Sequence, residues 1–109
     1  MSGSQDAPAT AHQASHIAAF GKTIAGTMIF SRFVGALGQP PTLDLTKPVS
    51  SILQGGLVAW DLGLKLMSYQ EFKTDGLILN KSDVMNAVTL GNLCDLIYKW
   101  YSSNGWMVT

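Results

Sequence analysis

Behind Thr89, the residues Leu90, Leu93, Cys94, Ile97, Trp100 and Tyr101 recur at steps of three and four. That spacing lines one stripe of a helix, and nothing in the chain constrains its fold more tightly. Thr89 is a good N-cap, and Gly105 closes the run. An earlier segment shows the same order. Within residues 15–37, Ile17, Phe20, Ile24, Met28, Phe30, Phe33, Val34 and Leu37 fall at helical steps, and Gly38 with Pro40 and Pro41 ends them. Between Leu57 and Phe72 the pattern is ambiguous. Leu62, Leu64 and Leu66 alternate like a strand, whereas Val58, Leu62, Leu66 and Tyr69 repeat like a helix. The length of the segment favours one continuous helix. A long loop, Gln39 to about Ile52, precedes it. Residues 77–88 read as a short extended piece and then a brief helix capped by Ser82 or Asp83.

These elements predict an all-α fold within one domain. The chain has 109 residues, of which 47% are hydrophobic, enough to close a single core. Met1 to Gln13 is small and polar, so residues 1–14 read as a leader or linker and residues 15–109 as the domain. No run of about 20 apolar residues exists, and the amino terminus lacks the order of a signal peptide, so a cytoplasmic setting is expected.

Charge narrows the function. Seven basic residues balance seven acidic ones, and only 13% of the chain is charged. Binding to nucleic acid or to an anionic membrane needs a basic surplus on one face, which this sequence lacks. Cys94 is the single cysteine and is far in sequence from His12 and His16, which argues against a disulfide or a zinc site. On its apolar stripe, Cys94 reads as a core residue rather than a nucleophile. Gly21-Lys22-Thr23 echoes the end of a phosphate-binding loop, but His16 stands where the first glycine belongs, so Lys22 reads as a solvated helix residue. The acidic residues Asp61, Glu71, Asp75, Asp83 and Asp95 form no pair suited to acid–base chemistry, and no enzymatic activity is expected. Trp100 is read as core, and Trp60 and Trp106 as candidate exposed anchors.

Three segments together resemble the acyl and peptidyl carrier proteins. LQGGLVAWDLGLKL is similar to the family's attachment segment, Leu-Gly-Gly-(Asp or His)-Ser-(Leu or Ile) followed by an apolar helix. YQEF and GLILNKSDVMNAV are similar to the end of that helix, the extended stretch and the short third helix. TLGNLCDLI is similar to the start of the last helix, and the whole match spans about 55 residues. The resemblance implies a four-helix bundle with a long loop between the first two helices and a short third helix. It also implies a place in polyketide, nonribosomal peptide or fatty-acid-type biosynthesis, with the enzymes or domains of an assembly line as partners.

The attachment serine is missing. Its position falls on Val58, or on Ala59 in a shifted register, and neither Leu57 nor Trp60 beside them offers a hydroxyl for a phosphodiester. Phosphopantetheine would belong to this chain only if a native serine had been replaced. As written, the sequence predicts a domain that docks without carrying a thioester, with Leu57, Val58, Trp60, Asp61 and Leu62 as the partner-binding set. The family's second helix is commonly acidic, whereas here it holds only Asp61, Lys65 and Glu71, so docking is expected to be apolar and weakly salt-dependent. The alternative, from another class, is a stand-alone helical adaptor or structural subunit unrelated to acyl chemistry.

Overall fold

The computed structural model describes residues 22–109, and readings that concern His12, His16 and the segment before Lys22 lie outside them. Five α-helices and one short pair of strands, with a 3₁₀ turn over Val49–Ile52 inside the long loop, make up the described fold. In chain order these are β1 (Thr23–Ile24), α1 (Gly26–Ala36), α2 (Ala59–Ser68), α3 (Gln70–Asp75), α4 (Lys81–Asn86), α5 (Leu90–Ser103) and β2 (Met107–Val108). The fold is thus mostly helical, as the apolar spacing predicts. Among the described residues no helix is long and apolar enough to cross a membrane.

The core follows the apolar stripes. Ile29, Phe33 and Val34 from α1, Leu62 and Leu66 from α2, Phe72 from α3 and Val84 from α4 pack with Leu90, Leu93, Cys94, Ile97 and Tyr101 of α5. Met28, expected on the buried face of α1, points outward instead and is 47% exposed.

The first helical run is shorter than its spacing suggests. Ile24 is buried, as a core residue should be, but it reaches the core from a strand. β1 pairs in parallel with β2, and Met107 N–H donates to Lys22 C=O at 2.9 Å while Thr109 N–H donates to Ile24 C=O at 3.1 Å. A two-residue strand has no detectable period, so its apolar residue is indistinguishable from a helical one. Lys22 is correspondingly not a helix residue; its ammonium lies 5.2 Å above the centre of the Trp106 ring.

The segment read as one helix from Leu57 to Phe72 is two. Tyr69 takes an extended conformation (φ −64°, ψ 130°) and separates α2 from α3, which ends at Gly76 in the left-handed region (φ 83°). Capping of α4 also differs from expectation. The side chain of Asn80, rather than Ser82 or Asp83, accepts from Asp83 N–H at 3.2 Å.

The long loop is tied to the start of α5. Leu90 N–H donates to Lys47 C=O at 2.9 Å and Gly91 N–H to Leu45 C=O at 2.8 Å. Asn92 N–H donates to Thr89 Oγ1 at 3.0 Å, and Leu93 N–H to Thr89 C=O at 3.2 Å. Leu93 N–H thus makes the first regular bond of the helix, and the three helical amides before it, those of Leu90, Gly91 and Asn92, all have partners, two of them supplied by the loop. Asn92 completes a capping box by accepting from Thr89 N–H at 3.1 Å.

Candidate functional site

Gly55 (φ 59°) and Gly56 (φ 81°) carry the chain through a left-handed turn that side chains resist, and this turn delivers Leu57 and Val58 to the start of α2. Val58 is the N-cap. Its side chain accepts no hydrogen bond, so only half a capping box forms, in which the Asp61 carboxylate accepts from Val58 N–H at 2.8 Å. Val58 is 50% exposed and Leu57 40% exposed. Trp60 is half-buried, its ring lying along Gly63. Asp61 is half-buried and engaged with the backbone of Val58, so it shapes the start of the helix.

Leu62 is set back from this surface and forms part of the inner wall of the cavity beside it. It is 3% exposed and sits in the core, because it shares the inward stripe of α2 with Leu66. The exposed apolar residues of the predicted set are therefore Leu57 and Val58, flanked by Trp60. A cavity of about 210 Å³ opens beside them between Leu37, Gln39, Ile52, Leu57 and Lys65.

A valine at the N-cap leaves a correctable defect. Val58→Ser or Val58→Asp supplies the missing acceptor and is expected to raise stability by about 1 kcal/mol in urea unfolding. Loss of stability would mean that the valine methyl groups contribute more to packing than their exposure allows.

The chemistry open to this surface is limited. Leu57, Val58, Ala59 and Trp60 carry no hydroxyl, thiol or imidazole. Ser51 lies on the loop, where its hydroxyl donates to Pro48 C=O at 2.7 Å. Among the described residues no group of His, Cys, Asp and Glu is arranged to hold a metal ion.

Cys94 is 1% exposed within the α5 stripe. Burial, with a smaller push from the Asp95 charge, raises its thiol to about 12. A nucleophile requires the opposite shift, so Cys94 acts as packing. The Tyr101 phenol is raised as well, first by burial and then by its hydrogen bond to Asp75. Both groups hold their protons in the folded state at pH values where the unfolded chain releases them. Their contribution is therefore complete below the unfolded pKa and is lost as pH rises through the folded one. The unfolding free energy from urea titrations is expected to stay flat to about pH 8 and then fall at about 1.4 kcal/mol per pH unit as the cysteine titrates in the unfolded chain. Cys94→Ala should move that onset to about pH 10, the tyrosine range. An unchanged onset in the variant would assign the transition to another group.

Two features differ from the reading of the sequence, one missed and one misplaced. The first is a network in which Arg32 Nη1 donates to Asp75 Oδ2 at 2.8 Å and to the Tyr101 hydroxyl at 3.1 Å, while that hydroxyl donates to the same carboxylate oxygen at 2.7 Å. Its signal was available, since Arg32 is the one charge between Lys22 and Asp44. The second is the position of Trp106, expected as an exposed anchor. It is half-buried and stacks edge-on against Tyr101 with ring centres 5.1 Å apart. Trp100 is also half-buried and packs edge-on against Tyr101.

No protein-family model matches the chain, and neither a curated protein nor a solved structure is significantly similar to it.

Proposed function

We propose that this chain is a carrier-protein-like domain of a polyketide, nonribosomal peptide or fatty-acid-type system, which docks to partner domains and carries no thioester. One observation carries the reading: Val58 stands half-exposed at the N-cap of α2, where the motif resemblance puts the attachment serine. Val58 is favoured over Ala59 for that position because Ala59 is less exposed and already inside the helix. The order of helix, long loop, helix, short helix and capped last helix supports the four-helix carrier pattern, with α3 as a broken-off end of the second helix. In this reading Leu57, Val58 and Trp60 replace the prosthetic arm with an apolar contact.

Incubation with coenzyme A and a phosphopantetheinyl transferase, followed by intact-mass measurement, tests the claim that the chain carries nothing. No mass gain is expected, and a gain would overturn it. The adaptor reading draws on a different observation. The β1–β2 pair joins the two ends of the described chain, and the carrier motifs give no reason to expect it. A helical adaptor closed by such a clasp would bind its partner without any link to acyl chemistry.

A further inference from the structure

The face of α5 turned toward α4 holds two adjoining cavities, of about 230 and 220 Å³. On α5 the first is lined by Asn92, Asp95, Leu96 and Lys99, and the second by Leu96, Lys99, Trp100 and Ser103. Each set has the spacing i, i+3, i+4, i+7, and the second is the first moved along by four residues, about 6 Å. Four residues so spaced form the hole that receives one side chain when helices pack against each other. The groove is thus two successive holes, each with room for one large side chain.

The holes differ in chemistry. The first has Asp83 of α4 opposite Asp95, and these two carboxylates outnumber the single amine of Lys99. The second shares Asp83 and Lys99 with the first but lacks Asp95 and is mainly apolar, with Trp100 and Ile78 in its lining; Ile78 is 72% exposed. The ion pair present among the described residues joins Arg32 to Asp75, so none of these three charges is neutralised by a close partner there. We propose that this groove seats a helix of a partner protein that presents a lysine or arginine and an apolar side chain one turn apart. The chain itself is a poor source of that helix, since residues 1–21 contain no lysine or arginine and Arg32 is held by Asp75. None of the lining residues belongs to the start of α2, so the inference stands apart from the carrier reading.

The test titrates the full ¹⁵N-labelled chain with an alanine-based helical peptide carrying leucine and lysine four residues apart, and with a matched peptide in which glutamate replaces the lysine. Amide shifts are expected at Ile78, Leu96, Lys99 and Trp100, with the lysine peptide bound about tenfold more tightly than the glutamate one. Asp95→Asn should reduce that preference about fivefold. Ile78→Ser should weaken both peptides alike, and the dispersion of each variant's spectrum reports that it is folded. Three outcomes overturn the proposal: no shifts in the groove, shifts confined to Leu57–Trp60, or equal affinity for the two peptides. Groove shifts that depend on protein concentration without peptide would assign the groove to a second copy and overturn it too.

Discussion

Replacing Asp75 by alanine is expected to cost about 3 kcal/mol and to lower the melting temperature by roughly 12–20 °C. Asp75 is the shared acceptor of a three-residue network. Its Oδ2 atom takes one hydrogen bond from Arg32 Nη1 and another from the Tyr101 hydroxyl. Without it, a guanidinium with only 19% side-chain exposure keeps a single weak partner, and a hydroxyl on a fully buried tyrosine loses its acceptor. Hydrogen bonds to charged groups contribute about 1.5–3 kcal/mol, and stranding a buried charge costs about 3–5 kcal/mol. The value expected here lies at the lower end because both charged side chains keep some contact with water. Location adds to the effect, since the network joins α1, the end of α3 and α5. Asp75→Asn should cost less, because it keeps an acceptor oxygen in place. A loss below about 1 kcal/mol for Asp75→Ala would show that the network is dispensable.

Gly63→Val is expected to destabilise by about 2–3 kcal/mol. A Cβ atom at Gly63 would meet the Trp60 ring at 3.1 and 3.2 Å and Val84 Cγ1 at 3.3 Å. The glycine therefore sets how closely α2 and α4 approach. A branched side chain must push Trp60 outward or separate the helices, and either change alters the surface beside Leu57 and Val58. Gly63→Ala is the informative control. Its single methyl group causes a smaller clash, offset by the roughly 1 kcal/mol that alanine gains over glycine in a helix, so its net change should be small. Urea unfolding of both variants, with the emission maximum of the tryptophans as a second readout, separates crowding from a change in helix propensity. Equal stability of the valine variant and the wild type would contradict the packing described.

Periodicity identified the last helix, its threonine cap and its buried face because fourteen consecutive residues repeat the same stripe. Other elements were less legible, each for a definite reason. Ile24 fits a helical register by chance, since a strand of two residues has no pattern of its own. The break at Tyr69 depends on a backbone angle that a tyrosine does not signal. Asn80 caps α4 ahead of Ser82 and Asp83, three candidates within four residues that propensity ranks nearly alike. At the candidate site, Leu57 and Val58 are exposed while Leu62 is buried, because residues adjacent in sequence point to different faces of a helix. The α4–α5 groove arises from two elements whose packing no local pattern encodes.

The account turns on position 58, and serine scanning addresses it most directly. Val58→Ser and Ala59→Ser would each be incubated with coenzyme A and a phosphopantetheinyl transferase, beside the unaltered chain, and their intact masses compared. The carrier-like reading predicts that Val58→Ser alone gains one phosphopantetheine arm, because its hydroxyl would stand at the exposed N-cap of α2. Loading of Ala59→Ser instead would shift the register by one residue. Failure of both folded variants to gain mass would contradict the carrier likeness itself.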